Sequence, residues 1–416
     1  MKGLRAAALV CLFATTLSPL VVAAGFTWPF VESKALFFRG ATGLAFVCWL
    51  VLCLGDPRRR LQPNRVLALF AAVLAALLLS DLLAPIPLLS FFGRTERMEG
   101  YFGFAYLFLF TLTATALLDT EEWRRRFVAV VLGVSMLVCA IGIWQWQIFT
   151  AEGRPEVQVS STLGNPTYLA QYAAFMICLA LWLGSRASRA GMAACAAVAL
   201  LNLWVLYLSQ GRGAALALLA GGVVAAALGN RETRRGVLAG TVAAAALLVV
   251  LPMLHDTGYG LPRFRGFTDF TWDDPRVVIW KHALGAIPQR PWLGWGQEGM
   301  LTSGGWVMKV DRAHNLFLDW LVQGGIVGLT LWLSLLVLLA YRVWETAAGL
   351  ERAALFAVLT IYFLTDMVLF DTLTSYFVLA LVMVLVGGRP VRAELQKERE
   401  RSLTLAMKEG CVLRNA

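Results

Sequence analysis

The residues of this chain best suited to chemistry are one histidine, His314, and two arginines, Arg212 and Arg276. His314 stands in the stretch 311–328, DRAHNLFLDWLVQGGIVG, immediately before a long apolar run. An imidazole titrates near neutral pH and can remove a proton from a hydroxyl group, and neighbouring arginines favour an anionic substrate. This combination predicts proton-transfer chemistry on a charged substrate.

Each arginine has a functional and a structural interpretation. Arg212 lies in SQGRGA (209–214), a predicted tight turn between two apolar runs. Its guanidinium would either donate paired hydrogen bonds to phosphate oxygens or extend to the lipid headgroups. Arg276 begins a predicted helix over 276–287, whose N-terminus already favours anions. The alternative for Arg276 is an ion pair with Asp273 or Asp274, the latter being the expected helix N-cap.

The neighbours of His314 strengthen a catalytic interpretation, which stands beside two structural ones. Arg312, Asn315 and Asp319 are placed to orient or tune the imidazole, on a predicted second helix from about His314 to Gly324. The structural alternatives are that His314 caps this helix or bonds to a carbonyl at the membrane interface. Further candidates for contact with an anionic substrate, each with a solvated or lipid-facing alternative, are Arg97, Lys281 and Arg265.

Metal and nucleotide chemistry have weak support in the sequence. Asp269, Asp273 and Asp274 are the best candidates for a hard cation, but acids near a helix start usually serve as caps. The sequence has no HExxH motif and no glycine-rich nucleotide loop. We therefore expect no metal and no cofactor.

These residues must be positioned by a membrane protein, since 59% of the chain is hydrophobic and 15% is charged. A span needs roughly 20 apolar residues, and about twelve such runs are present. The runs are too long for barrel strands, which predicts an all-α polytopic fold. Most lysines and arginines fall in alternate loops, which predicts that both termini are cytoplasmic and that the net charge of +10 reflects topology rather than nucleic-acid binding.

The order of apolar and polar segments predicts four regions. Residues 1–254 would form transmembrane helices 1–9, and residues 255–324 a large periplasmic loop with short helices. Residues 325–388 would form helices 10–12, and residues 389–416 a cytoplasmic tail. The long polar segment is too extended for a passive connection, which makes it the expected site of function.

Four motifs in this order resemble those of the bacterial O-antigen ligase and polymerase superfamily, most closely the ligases. They are STLGNPTYLAQY (161–172), SQGRGA (209–214), the R-x-x-x-W helix followed by P-x-x-G-x-G (276–300), and His314-Asn315 followed after nine residues by Gly325-x-x-Gly328. The resemblance implies a membrane-embedded, GT-C-like glycosyltransferase that inverts configuration and needs no metal.

The same resemblance implies substrates and site roles. The donor would be an undecaprenyl-diphosphate-linked glycan and the acceptor a sugar hydroxyl of lipid A–core, at the periplasmic face of a bacterial inner membrane. His314 would be the general base, and Arg212 and Arg276 would bind the diphosphate. The alternatives are an O-antigen polymerase, an O-oligosaccharyltransferase and, in another class, a transporter or flippase of lipid-linked sugars, which predicts charges and helix breaks at the bilayer midplane.

Overall fold

The computed structural model describes residues 2–62, 64–154, 157–250, 275–305 and 310–388. Within these ranges the chain forms fourteen α-helices and no strand, joined mostly by short turns. The helices are α1 (Lys2–Ala14), α2 (Glu32–Gly55), α3 (Arg65–Leu82), α4 (Pro87–Phe92), α5 (Tyr101–Leu117), α6 (Glu121–Ala151), α7 (Pro166–Gly184), α8 (Arg189–Ser209), α9 (Arg212–Leu228), α10 (Arg231–Ala245), α11 (Pro275–Ala286), α12 (Leu316–Thr346), α13 (Gly349–Asp366) and α14 (Leu373–Gly387).

Seven helical segments in the described ranges are long and apolar enough to cross a membrane. The shorter apolar helices α5, α9 and α14 lie among them, and α13 packs against α9 and α7. The chain is therefore an all-α polytopic membrane protein, as its composition predicts. The described ranges contain fewer long spans than the apolar runs of the sequence. α13 does not count among the long apolar spans because it carries three charged residues, Glu351, Arg352 and Asp366. The ninth apolar run continues beyond residue 250, where this described range ends.

The helices begin where the sequence supplies a cap for their unpaired amide groups. Asn64 and Asn165 accept hydrogen bonds from the backbone two residues further on, and Pro166 follows Asn165 at the first helical position. Thr372 and Ser375 form a reciprocal capping box at the start of α14. These local signals define the helix ends before any tertiary packing is considered.

The core of the bundle is built around α7 and α14. Every side chain of α14 from Phe377 to Val386 is buried, which matches its uniformly apolar sequence. α7 packs against α8 and α13, and it buries Phe175 and Trp182 almost completely. This packed centre positions the ends of the surrounding helices, where the polar residues of the site lie.

The helix predicted over 276–287 is present as α11, and a short 3-10 helix, Ile287–Gln289, ends it at Pro288. The expected N-cap, Asp274, lies outside the described residues. α11 packs against α12 through a small apolar core that includes Ala283, Met300 and Val322.

The second predicted helix and the following span form one element, α12, with a break at Gly325. Gly325 has φ 63° and ψ −163°, a conformation open essentially to glycine alone. At this break the carbonyls of Val322 and Gln323 lose their normal helical partners, the amides of Ile326 and Val327.

The segment 291–296 supplies the missing partners on both sides of the break. The amides of Trp295 and Gly296 donate to the carbonyls of Val322 and Gln323, at 2.7 and 3.0 Å. The amides of Ile326 and Val327 donate in turn to the carbonyls of Pro291 and Trp292, at 2.8 and 3.1 Å. Two of the four sequence motifs are thus structural partners of each other.

Candidate functional site

His314 lies in the connection between residue 310 and α12, in a left-handed backbone conformation with φ 53°. This conformation is uncommon for a residue with a side chain, and it persists only where neighbouring contacts enforce it. On one side, the amide of Ala313 donates to Oδ1 of Asp319 at 2.6 Å, and its carbonyl accepts from Nε1 of Trp280 at 3.0 Å. On the other side, Asn315 caps α12 and donates to the carbonyl of Met367.

These contacts exclude one of the structural interpretations of His314. Asn315, and not His314, is the N-cap of α12, so the capping alternative for the histidine is wrong. Asn315 and Asp319 hold the backbone on either side of His314 and leave its imidazole available. The structure therefore places a conformationally fixed histidine at this end of the bundle.

The imidazole of His314 is partly buried and packs edge-on against Phe370, with 4.8 Å between ring centres. Burial lowers its pKa below the ordinary value of 6.5, and the positive charges of Arg276, Arg97 and Arg312 lower it further. The carboxylate of Asp311 opposes this effect. The neutral form, which can accept a proton, is therefore favoured at neutral pH.

Arg97 is the centre of a network beside His314. Its Nε donates to Oδ2 of Asp311 at 2.6 Å, and its Nη1 donates to the hydroxyl of Tyr168 at 2.9 Å. Its guanidinium also stacks on Phe370, 4.0 Å from the ring centre. Arg97 and His314 thus contact the same aromatic ring, which places the α4–α5 connection next to the histidine.

Arg312 forms a second, more deeply buried ion pair. Its Nη2 lies 3.1 Å from Oε2 of Glu99 and 3.9 Å from Oε1 of Glu298. Glu298 is buried and has φ 62°, another left-handed conformation. Strained backbone at both Glu298 and His314 indicates that this cluster is held in place by the surrounding structure.

The structure brings Arg276 close enough to His314 for its charge to act on the imidazole, after burial the largest influence on the pKa of His314. Arg212 begins α9 immediately after Gln210, which is in a left-handed conformation, and Gly211. A methyl group added at Gly213 would lie 3.5 Å from Cγ2 of Val368. The start of α9 therefore packs against the segment 367–370, which also contacts Asn315 and His314.

The remaining sequence-predicted residues fall in different places. Arg312 acts electrostatically on His314, whereas Lys281 is exposed on α11 and is not among the charges that act most strongly on the imidazole. Arg265 lies outside the described residues, as do the cation candidates Asp269, Asp273 and Asp274. Within the ranges that the structure describes, no three histidine, cysteine or acidic side chains are grouped so as to hold a metal ion.

Several residues of the cluster escaped the sequence analysis as candidates: Tyr168, Glu99, Asp311, Glu298 and Phe370. Tyr168 belongs to the motif 161–172, and the cap Asn165 and the left-handed Gly164 fix the turn before it. Its place in the sequence as a polar residue within a motif could have identified Tyr168 as a candidate. Glu99 could have been identified as an acidic residue close to two arginines in the segment 93–100, GRTERMEG.

Comparison with known proteins bears directly on this region. Residues 197–333 match a protein-family model described as O-antigen ligase, and this range includes Arg212, Arg276 and His314. A curated O-antigen ligase of Pseudomonas aeruginosa is 36% identical over 74 residues, which are 17% of this chain and 18% of that protein. The chain therefore matches less than a fifth of the length of this relative.

The family match covers the helices and connections that carry the histidine, both arginines and the exchanged hydrogen bonds at Gly325. It confirms the resemblance inferred from the motifs: residues 197–333 of this chain match the O-antigen ligase family.

Proposed function

We propose that this protein is an inverting, metal-independent glycosyltransferase of the O-antigen ligase type. It would transfer a glycan from undecaprenyl diphosphate to a sugar hydroxyl of lipid A–core. The observation that carries the proposal is that the conformationally fixed His314 lies within electrostatic range of Arg276, at the same end of the bundle as Arg212. A base and two fixed cations are what this reaction requires.

In this mechanism the acceptor oxygen forms a bond to the anomeric carbon while the bond from that carbon to the diphosphate oxygen breaks. The electron pair leaves with the diphosphate, and the hydroxyl proton passes to the unprotonated nitrogen of His314. Arg212 and Arg276 stabilise the negative charge that grows on the leaving group. Attack from the face opposite the diphosphate inverts the anomeric configuration, and cleavage of the donor's diphosphate linkage supplies the free energy.

A neighbouring cavity supports a lipid-linked donor. This cavity of about 80 Å³ is lined by Arg97 and Tyr168 of the candidate site together with apolar side chains, among them Phe38, Phe104 and Leu107. Charged and apolar walls in one place suit a donor that joins a diphosphate to a polyprenyl chain. The distribution of basic loops favours a periplasmic position for this site in the inner membrane.

The position of charged side chains favours an enzyme over a transporter. Lys34 and Arg39 are buried within the first turns of α2, where they donate to the carbonyls of Thr162 and Met98. Asp81 and Asp366 lie at the last turns of α3 and α13. These charges gather at the helix ends that face the candidate site, whereas a transporter would need them near the bilayer midplane.

The acceptor that the protein uses distinguishes a ligase from a polymerase and from an O-oligosaccharyltransferase. Purified protein is incubated with lipid-linked glycan and either lipid A–core, a second lipid-linked glycan or an acceptor protein, in excess chelator. Transfer to lipid A–core supports the ligase, while elongation of the lipid-linked glycan indicates a polymerase and protein glycosylation an O-oligosaccharyltransferase. Loss of transfer in chelator, restored by a divalent cation, would contradict the metal-independent mechanism.

A further inference from the structure

A large basic cavity lies at the end of the bundle opposite the candidate site. Its described lining comes from the connection between α2 and α3, from α1, and from the ends of α5, α12 and α14, and its volume is about 900 Å³. Arg65 at the start of α3 lines this cavity, whereas Ser80 near the end of α3 donates to the carbonyls of Leu293 and Gln323. The rise of an α-helix separates these two residues by roughly 22 Å.

The described lining of this cavity contains seven arginines and three carboxylates. Three of the arginines are paired: Arg5 with Asp119 at 2.9 Å, Arg59 with Asp56 at 3.4 Å, and Arg342 with Glu345 at 3.7 Å. The guanidinium of Arg124 is buried and donates to the carbonyl of Leu118. Among the described residues, carboxylates therefore pair with these three arginines, and Arg124 has a backbone partner.

The other three arginines are Arg58, Arg60 and Arg65. Among the residues that the structure describes, no carboxylate lies within 4.0 Å of their guanidinium groups. Three guanidinium groups with no carboxylate partner among the described residues thus line one cavity. Each can donate two parallel hydrogen bonds to a phosphate group, so together they suit an anion with several oxygens.

An apolar surface adjoins the basic cavity and indicates the source of the phosphate. Arg5 lines both the cavity and a shallower groove of about 490 Å³ between α1 and α6, where Leu9, Val10, Phe13 and Trp123 lie. Val10 is 68% exposed, so this groove is open to the surrounding acyl chains. A phosphate site joined to an apolar groove at a helix-bundle end fits a phospholipid better than a free phosphate ion.

We propose that this cavity binds the headgroup of an anionic phospholipid, with an acyl chain along the groove between α1 and α6. The phosphodiester is held by Arg58, Arg60 and Arg65. Arg5 lies where the headgroup site meets the groove for the acyl chain. The site is separate from the glycan-transfer site and does not depend on the function proposed for it. By the distribution of basic loops, it faces the cytoplasmic leaflet.

The test is a lipid titration of the purified full chain in neutral detergent, read out as the thermal unfolding temperature. Phosphatidylglycerol is expected to raise this temperature, while phosphatidylcholine and inorganic phosphate at equal concentrations leave it unchanged. A variant with Arg58→Gln, Arg60→Gln and Arg65→Gln should need about a hundredfold more phosphatidylglycerol for the same shift.

The matched control removes equal charge from the same end of the bundle, outside the cavity. Arg189→Gln, Arg231→Gln and Arg235→Gln replace three exposed arginines at the starts of α8 and α10, and this variant should respond as the wild type does. Equal loss in both triple variants would reduce the effect to general charge attraction and overturn the proposal. Equal stabilisation by inorganic phosphate would overturn the assignment to a lipid.

Discussion

The guanidinium of Arg97 is joined to the carboxylate of Asp311 at 2.6 Å, across 214 positions of sequence. Both side chains are largely buried, with 16% and 13% of their surfaces exposed. This ion pair ties the connection before α5 to the connection before α12, and His314 lies three residues from Asp311. The orientation of the proposed base therefore depends on a contact that neither segment can make alone.

Arg97→Met should lower the free energy of unfolding by about 3–5 kcal/mol, because it leaves the buried carboxylate of Asp311 without its partner. The double variant Arg97→Met, Asp311→Leu should recover much of this loss, since no unpaired charge remains buried. Unfolding in detergent measures both. Arg126→Met is the control, because its ion pair with Glu122 is exposed and worth at most about 1 kcal/mol. A double variant no more stable than the single one would contradict this account.

His314→Ala should reduce glycan transfer by about 10²–10⁴-fold while expression and membrane insertion remain normal, because the acceptor proton loses its base. Transfer from lipid-linked glycan to lipid A–core by the purified variant provides the measurement. His282→Ala is the matched control, since His282 is half-buried on α11 and its Nε2 lies 3.2 Å from Oγ of Ser303. Near-normal transfer by the His314 variant would rule out the base assignment.

Arg276→Gln should change the pH dependence of transfer as well as its rate. In the wild type the pKa of His314 lies below 6.5, so the neutral base persists, and activity falls only in more acidic solution. The charge of Arg276 contributes to that lowering, so its removal raises the pKa of His314 and moves the acidic limb to higher pH. The pH profile of kcat/KM for the lipid-linked donor reports this shift.

Two further variants separate charge from geometry at this position. Arg276→Lys keeps the positive charge and should leave the acidic limb in place, but it should use the donor poorly because it lacks the bidentate fork. Lys281→Gln removes an exposed charge from the same helix and should move neither the limb nor the rate. A limb that does not move in Arg276→Gln would show that Arg276 does not act on the titrating group.

Gly325→Ala should destabilise the protein strongly, whereas Gly324→Ala should be tolerated. A Cβ at Gly325 would lie 2.3 Å from the carbonyl oxygen of Trp292, and the backbone strain adds about 1–3 kcal/mol. A Cβ at Gly324 meets only ordinary contacts, at 3.7 Å from Leu77 and 3.9 Å from Trp320. Thermal unfolding of the two variants compares neighbouring residues of the same type, and equal effects would contradict the assigned conformation.

The sequence was sufficient to predict the fold class and the helix α11 that carries Arg276. These features follow from apolar run length, proline punctuation and the crowding of polar residues into one segment. The partners of Arg97 could not be predicted, because Asp311 and Tyr168 are brought to it only by packing between distant helices. The glycines at 294, 296 and 325 were visible as a motif, but hydrogen bonds between residues 27 and 35 positions apart leave no local pattern.

The hydrogen bonds that cross the break in α12 have a consequence for motion. The amides of Trp295, Gly296, Ile326 and Val327 are mutually dependent, so they should exchange with deuterium as one cooperative unit rather than one by one. α11 carries Arg276 and packs against α12, which begins two residues after His314, so we expect the two residues to move together. In the proposed reaction their spacing would be set before the substrate binds, and we expect the entry of a bulky glycan to require movement in other parts of the chain.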